Sequence, residues 1–125
     1  MLHDRNINLV STFWKEVWNR KDFTFLDKLI HNDYYVTSLS NPGKVIKGRD
    51  AIKNNVTIKW TDYNNFKLDV SKIYCDGNSV ISVIKLSGNK KDTGKYLSMD
   101  EIVVHTIKND KIIHALSLST EWKLG

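Results

Sequence analysis

YLSMDEIVVHTIKNDKIIHALSLSTEW, residues 96–122, is the stretch whose reading decides the fold. Apolar residues alternate on both sides of Asn109-Asp110, and those two are turn formers. The run therefore predicts two long antiparallel strands joined by a two-residue loop. Such a loop sets the register. Lys108 faces Lys111, Ile107 faces Ile112, His105 faces His114, Val103 faces Leu116, Glu101 faces Leu118, Met99 faces Thr120 and Leu97 faces Trp122. The last six pairs share one face, apolar except for Glu101, His105, His114 and Thr120. Polar groups on an apolar sheet face are what a lined pocket needs.

Upstream, residues 4–20 carry Ile7, Val10, Phe13, Trp14, Val17 and Trp18 at spacings of three and four, which predicts an amphipathic helix capped by Asp4. A short helix with Phe25, Leu26, Leu29 and Ile30 follows Asp22, and Tyr34–Thr37 reads as a short strand. After a loop around Pro42-Gly43, a third helix opens at Gly48 and ends near Trp60. From Phe66 onward the alternation is of strand type: Phe66, Leu68 and Val70, then Val80, Ser82, Ile84 and Leu86. Three helices followed by a mostly antiparallel sheet is an α+β arrangement in one domain, residues 1–125.

Matching apolar faces extends the register. Leu86 falls opposite Leu97, Ile84 opposite Met99, Ser82 opposite Glu101 and Val80 opposite Val103. Placing Val70 beside Ile84 and Leu68 beside Leu86 requires a three-residue turn at Asp76-Gly77-Asn78. A row of Lys72, Ser82, Glu101 and Leu118 then crosses the inner face, unless a bulge near Ser71 turns Lys72 away.

The net charge is +5, but the lysines are interspersed with acids and form no stripe, so neither nucleic acid nor membrane is expected as a partner. The single cysteine, Cys75, forms no internal disulfide, and the N-terminus shows no signal-peptide pattern; a cytoplasmic location is the expectation.

The ordered parts carry a resemblance. An aromatic first helix ends in Asn19-Arg20-Lys21-Asp22, a Leu-rich helix leads to Asn32-Asp33-Tyr34, Gly48-Arg49-Asp50-Ala51-Ile52 opens a helix, and Lys111-Ile112-Ile113 begins the last strand. This resembles the nuclear-transport-factor-2-like superfamily, in particular the SnoaL-like polyketide cyclases and ketosteroid-isomerase-like proteins. The resemblance implies a cone-shaped α+β barrel with a pocket between helices and curved sheet. It also implies a homodimer packed through the outer sheet face, here Ile81, Val83, Ile102 and Val104. The isomerase residues do not carry over. Their positions fall at Trp14, near Ser38 and near Val103, and the acid of many relatives falls near Thr120.

Two classes of function follow. One is a pocket protein doing cofactor-free proton-transfer chemistry, with Glu101 as acid/base and His114 orienting a small, largely apolar organic ligand. Trp14, Trp18, Tyr35 (or Tyr34), Ser82, Met99, His105, Leu116 and Thr120 would contact that ligand. The other is a non-catalytic homodimeric binding module. No metal is expected, since the His105–His114 pair has no third ligand at a fitting spacing.

Overall fold

The computed structural model of the chain describes residues 2–119 and 123–124. Thr120 and Trp122, two of the expected inner-face positions, lie outside the described residues.

The elements follow the expected α+β order. Helix α1 spans Leu2–Thr12 and continues as a π-helical stretch over Phe13–Asn19. A 3-10 turn, Phe23–Phe25, leads into the short α2, Leu26–Leu29, and Asp22 caps it by accepting from the Thr24 amide. Strands β1 (Ile30–Ser38) and β2 (Val45–Lys47) precede α3 (Asp50–Asp62). Then come β3 (Tyr63–Asp76), β4 (Ser79–Lys90), β5 (Tyr96–Lys108), β6 (Lys111–Ser119) and β7 (Lys123–Leu124). The sheet order is β2-β1-β6-β5-β4-β3, with β7 pairing the start of β5. All of these pairs are antiparallel except β1 with β6.

The 109–110 turn forms as expected, with Lys108 opposite Lys111 and both turn residues at positive φ. The register beyond it differs. Ile113 is an extra residue in β6, so Thr106 pairs with His114, His105 with Ala115 and Val103 with Ser117. A slip of one residue sends every later side chain of the strand to the other face. Ala115 and Ser117 therefore point inward, and His114, Leu116 and Leu118 point outward.

A second bulge resolves the β3–β4 pairing. The turn is the two-residue Gly77-Asn78, not a three-residue one, because Asp76 already pairs with Ser79. The displaced residue is absorbed between Val70 and Lys72. Leu68 and Val70 thus keep Leu86 and Ile84 as partners, as expected, while Lys72 pairs with Val83 on the outer face. The β4–β5 register lies two residues from expectation: Ile84 faces Glu101, Ser82 faces Val103 and Val80 faces His105. A shift of two preserves the face but changes the partners, so the row Lys72, Ser82, Glu101, Leu118 does not form. Gly88 lies inside β4. A Cβ there would sit 3.0 Å from the Tyr63 Cβ, which explains why the bent start of β3 packs against a glycine.

The core lies between the helices and the inner sheet face. Val10, Phe13, Trp14 and Val17 of the first helix pack with Val80, Ile84, Val103 and Ile107 of the sheet. Two polar tethers fix the helix. Trp14 Nε1 donates to Ser82 Oγ at 3.1 Å. The Asn19 side-chain amide makes a two-way pair with the Leu68 backbone, donating at 2.8 Å and accepting at 2.9 Å. Arg49, at the start of α3, donates to the Ile30 carbonyl, Asn32 and Asp27, and so anchors the entry to β1. No helix among the described residues is long and apolar enough to cross a membrane.

Candidate functional site

Small residues open a space where the sheet curves away from the helices. Ala115 and Ser117 fill less of the inner face than the histidine and leucine expected there. A cavity of about 110 Å³ remains, roofed by Phe13, Trp14 and Trp18, bounded by Ile52 and Asn55 of α3, and floored by Glu101, Val103 and His105. Tyr34 and Val36 of β1 complete the wall.

Among the described residues, Glu101 is the only carboxylate on this lining. Burial raises its pKa, because the charged form loses hydration, and Lys59 opposes that shift. The cation coupled to Glu101 is thus Lys59 on α3 and not Lys72. Lys59 itself is lowered by burial, against the pull of Glu101 and Asp62.

His105 is 1% exposed, with its ring 5.4 Å from Phe13 and 5.3 Å from Trp14. Burial, helped by the neighbouring His114, lowers its pKa to about 3, so the imidazole is neutral. Its Nδ1 is buried and has no hydrogen-bond partner among the described residues, which is rare for a native polar atom and costly unless something meets it. Tyr34 is buried and its pKa is raised by desolvation, so it stays a neutral phenol.

The cavity brings together Glu101, His105, Trp14 and Trp18 from the expected set. It leaves out others, each for a visible reason. Tyr34, not Tyr35, faces inward, because Tyr35 aligns with the outward His114. The Tyr35 ring stacks on His114 at 4.4 Å, and Thr37 Oγ1 lies 2.8 Å from His114 Nε2. His114 and His105 therefore sit on opposite faces and cannot share a ligand. Leu116 points outward beside Val104. Ser82 is fully buried behind Trp14 and holds its indole. Met99 is buried opposite Leu86, off the cavity. Among the described residues no three His, Cys, Asp or Glu side chains converge as a metal site. Asn55 had gone unnoticed; its place between the apolar Ile52 and Val56 is the signal that could have found it.

The sequence profile of the SnoaL-like polyketide cyclases matches residues 8–121. The chain belongs to the SnoaL-like polyketide cyclase family. Solved structures with the same fold include one from Jannaschia assigned as a SnoaL-like polyketide cyclase, with TM-score 0.81 at 12% identity, covering 94% of this chain and 86% of that one. An LEH-like epoxide hydrolase of M. tuberculosis superposes with TM-score 0.75 at 14% identity, over 96% and 86% of the two chains. A Catenulispora acidiphila protein with a ketosteroid isomerase-like fold, in complex with trimethylamine, gives 0.72 at 15% identity, over 88% and 83%. Likeness at these identities is a likeness of fold. No curated protein matches the sequence.

Proposed function

We propose that this SnoaL-like chain holds a small, largely apolar organic molecule over Glu101 and moves a proton on it without a cofactor, as an isomerase, cyclase or dehydratase does. The observation that carries the reading is the meeting of two groups in one cavity. One is a carboxylate that desolvation makes more basic; the other is a neutral imidazole with an unpartnered Nδ1. Glu101 takes the proton from a carbon beside a carbonyl, and the C–H electron pair moves toward the carbonyl oxygen. A hydrogen bond from His105, in its Nδ1–H tautomer, or from the Tyr34 hydroxyl stabilises that oxygen. Glu101 then returns the proton at the same or a neighbouring carbon. A cytoplasmic location, suited to a chain with one cysteine, belongs to the same proposal.

Deuterium exchange into cyclohexanone in D₂O, followed by proton NMR, tests this. The protein should accelerate exchange above the buffer rate, more so as pH rises through the elevated Glu101 pKa. Glu101→Gln should lose about 100-fold or more. Equal exchange by the variant would sink the assignment of Glu101.

The second reading, a homodimeric module without catalysis, has its own observation. Two apolar rows cross the outer face: Ile81, Val104 and Leu116, then Val83, Ile102 and Leu118. Ile102 and Leu118 are 44% and 45% exposed. A second copy seated on these rows would cover them. Binding of cyclohexanone with no exchange above buffer favours this reading.

A further inference from the structure

The cavity over Glu101 has a neighbour beyond β1. Val36, Asn55 and Ser117 line it, and the same three residues line an adjoining hollow of about 200 Å³. The two spaces are neighbours across these three side chains, and their linings differ in character. The inner end offers indole and aliphatic surface with the His105 ring and Glu101. The outer end offers Thr37, Ser38, Asn41 and Lys44.

Charge follows the same gradient. From residue 34 to residue 49 the chain has Lys44, Lys47 and Arg49 and no Asp or Glu. Arg49 is committed to Asp27, Asn32 and the Ile30 carbonyl. Lys47 lines a different groove, on the Tyr35 side. Lys44 is the cation on the hollow, and no carboxylate forms a salt bridge with it among the described residues.

Size completes the argument. The inner space, about 110 Å³, is smaller than the apolar cavity of about 150 Å³ that takes up a benzene, so it holds no more than one compact ring or branched group. A longer ligand that passes Val36, Asn55 and Ser117 reaches the outer hollow, beside a cation and neutral hydrogen-bonding groups. We infer that the ligand is an amphiphilic monoanion, with a compact apolar head in the inner cavity and a carboxylate-like group at Lys44. Like-charge repulsion from Glu101 sets the direction of entry, because an anionic group is disfavoured at the inner end. This inference rests on the inner cavity being the ligand site.

Calorimetric titration of 3-phenylpropionate and the neutral 3-phenylpropan-1-ol against the wild type, Lys44→Met and Lys44→Glu separates the two readings. The acid should bind the wild type about threefold to tenfold more tightly than the alcohol at low ionic strength. That preference should vanish in Lys44→Met and reverse in Lys44→Glu, with the alcohol's affinity held within about twofold. Lys44 is exposed, so neither variant threatens folding. Equal binding of acid and alcohol to the wild type overturns the anionic specificity and leaves the cavity reading standing. So does an acid preference that survives both substitutions. Binding of neither probe overturns both.

Discussion

His105 pairs two properties that compete. A buried polar atom left without a partner costs about 1–3 kcal/mol, and the ring nevertheless lies 1% exposed between Phe13 and Trp14. Its pKa of about 3 also ties folding to pH. The folded state does not take up the proton that the unfolded chain binds below its ordinary value of 6.5. Stability from this group is therefore full above that value and is lost as pH falls from 6.5 toward 3. By pH 4 the loss is roughly 3 kcal/mol. Glu101 acts in the opposite sense: its raised pKa makes its contribution fall as pH rises. Urea denaturation of His105→Leu at pH 7 and pH 4 isolates the histidine. The variant should lose markedly less stability on acidification than the wild type. An identical loss would mean that His105 is not the group responsible.

The element that sets the cavity's roof is the π-helical stretch Phe13–Asn19. A turn with i to i+5 bonding is wider than an α-turn and often marks a functional site. Its end is clipped to the sheet by Asn19, whose amide pairs with the Leu68 backbone as a neighbouring strand would. Asn19→Ala should cost about 2 kcal/mol in chemical denaturation, the value of two neutral hydrogen bonds. No measurable loss would show that solvent replaces the clip. The motif that carried the family resemblance thereby gains a physical meaning, with Asn19 holding β3 and Asp22 capping the next turn. At this scale the sequence was legible where periodicity speaks. The helix stripe, the strand alternation and the 109–110 turn all read through. The extra residue at Ile113 did not, because a bulge leaves no mark on apolar alternation when both faces of the strand are apolar, whereas the bulge near Ser71 is the one that the position of Lys72 turned on. Ile112 and Ala115 face inward while Leu116 and Leu118 face outward, and the pattern alone supports either choice. Glu101, His105, Trp14 and Trp18 were found on odd positions of β5 and on the helix stripe, where no bulge intervened. The inward turn of Tyr34 rather than Tyr35 depended on the placement of β1 against the sheet, which no local pattern encodes.

For the whole molecule, the two faces of the sheet carry separate tasks in the reading argued above. The inner face surrounds the ligand; the outer face, with Ile102 and Leu118 exposed, is the surface a second copy would cover. Light scattering on the eluting protein should give twice the 14.5 kDa chain mass. Ile102→Asp should return it to a monomer, since a charge in a buried sheet–sheet contact has no partner. A monomeric wild type would dispose of this interface. Whether a side chain of β6 belongs to the cavity or to that surface is decided by the single extra residue at Ile113. Removing one residue there would exchange the two populations, bringing His114 and Leu116 inward and sending Ala115 and Ser117 out. The pocket would fill and lose its room for a ligand, while the proposed contact would lose its bulk. In a strand of this kind, the gain or loss of one codon acts at once on what the protein can hold and on whom it can meet.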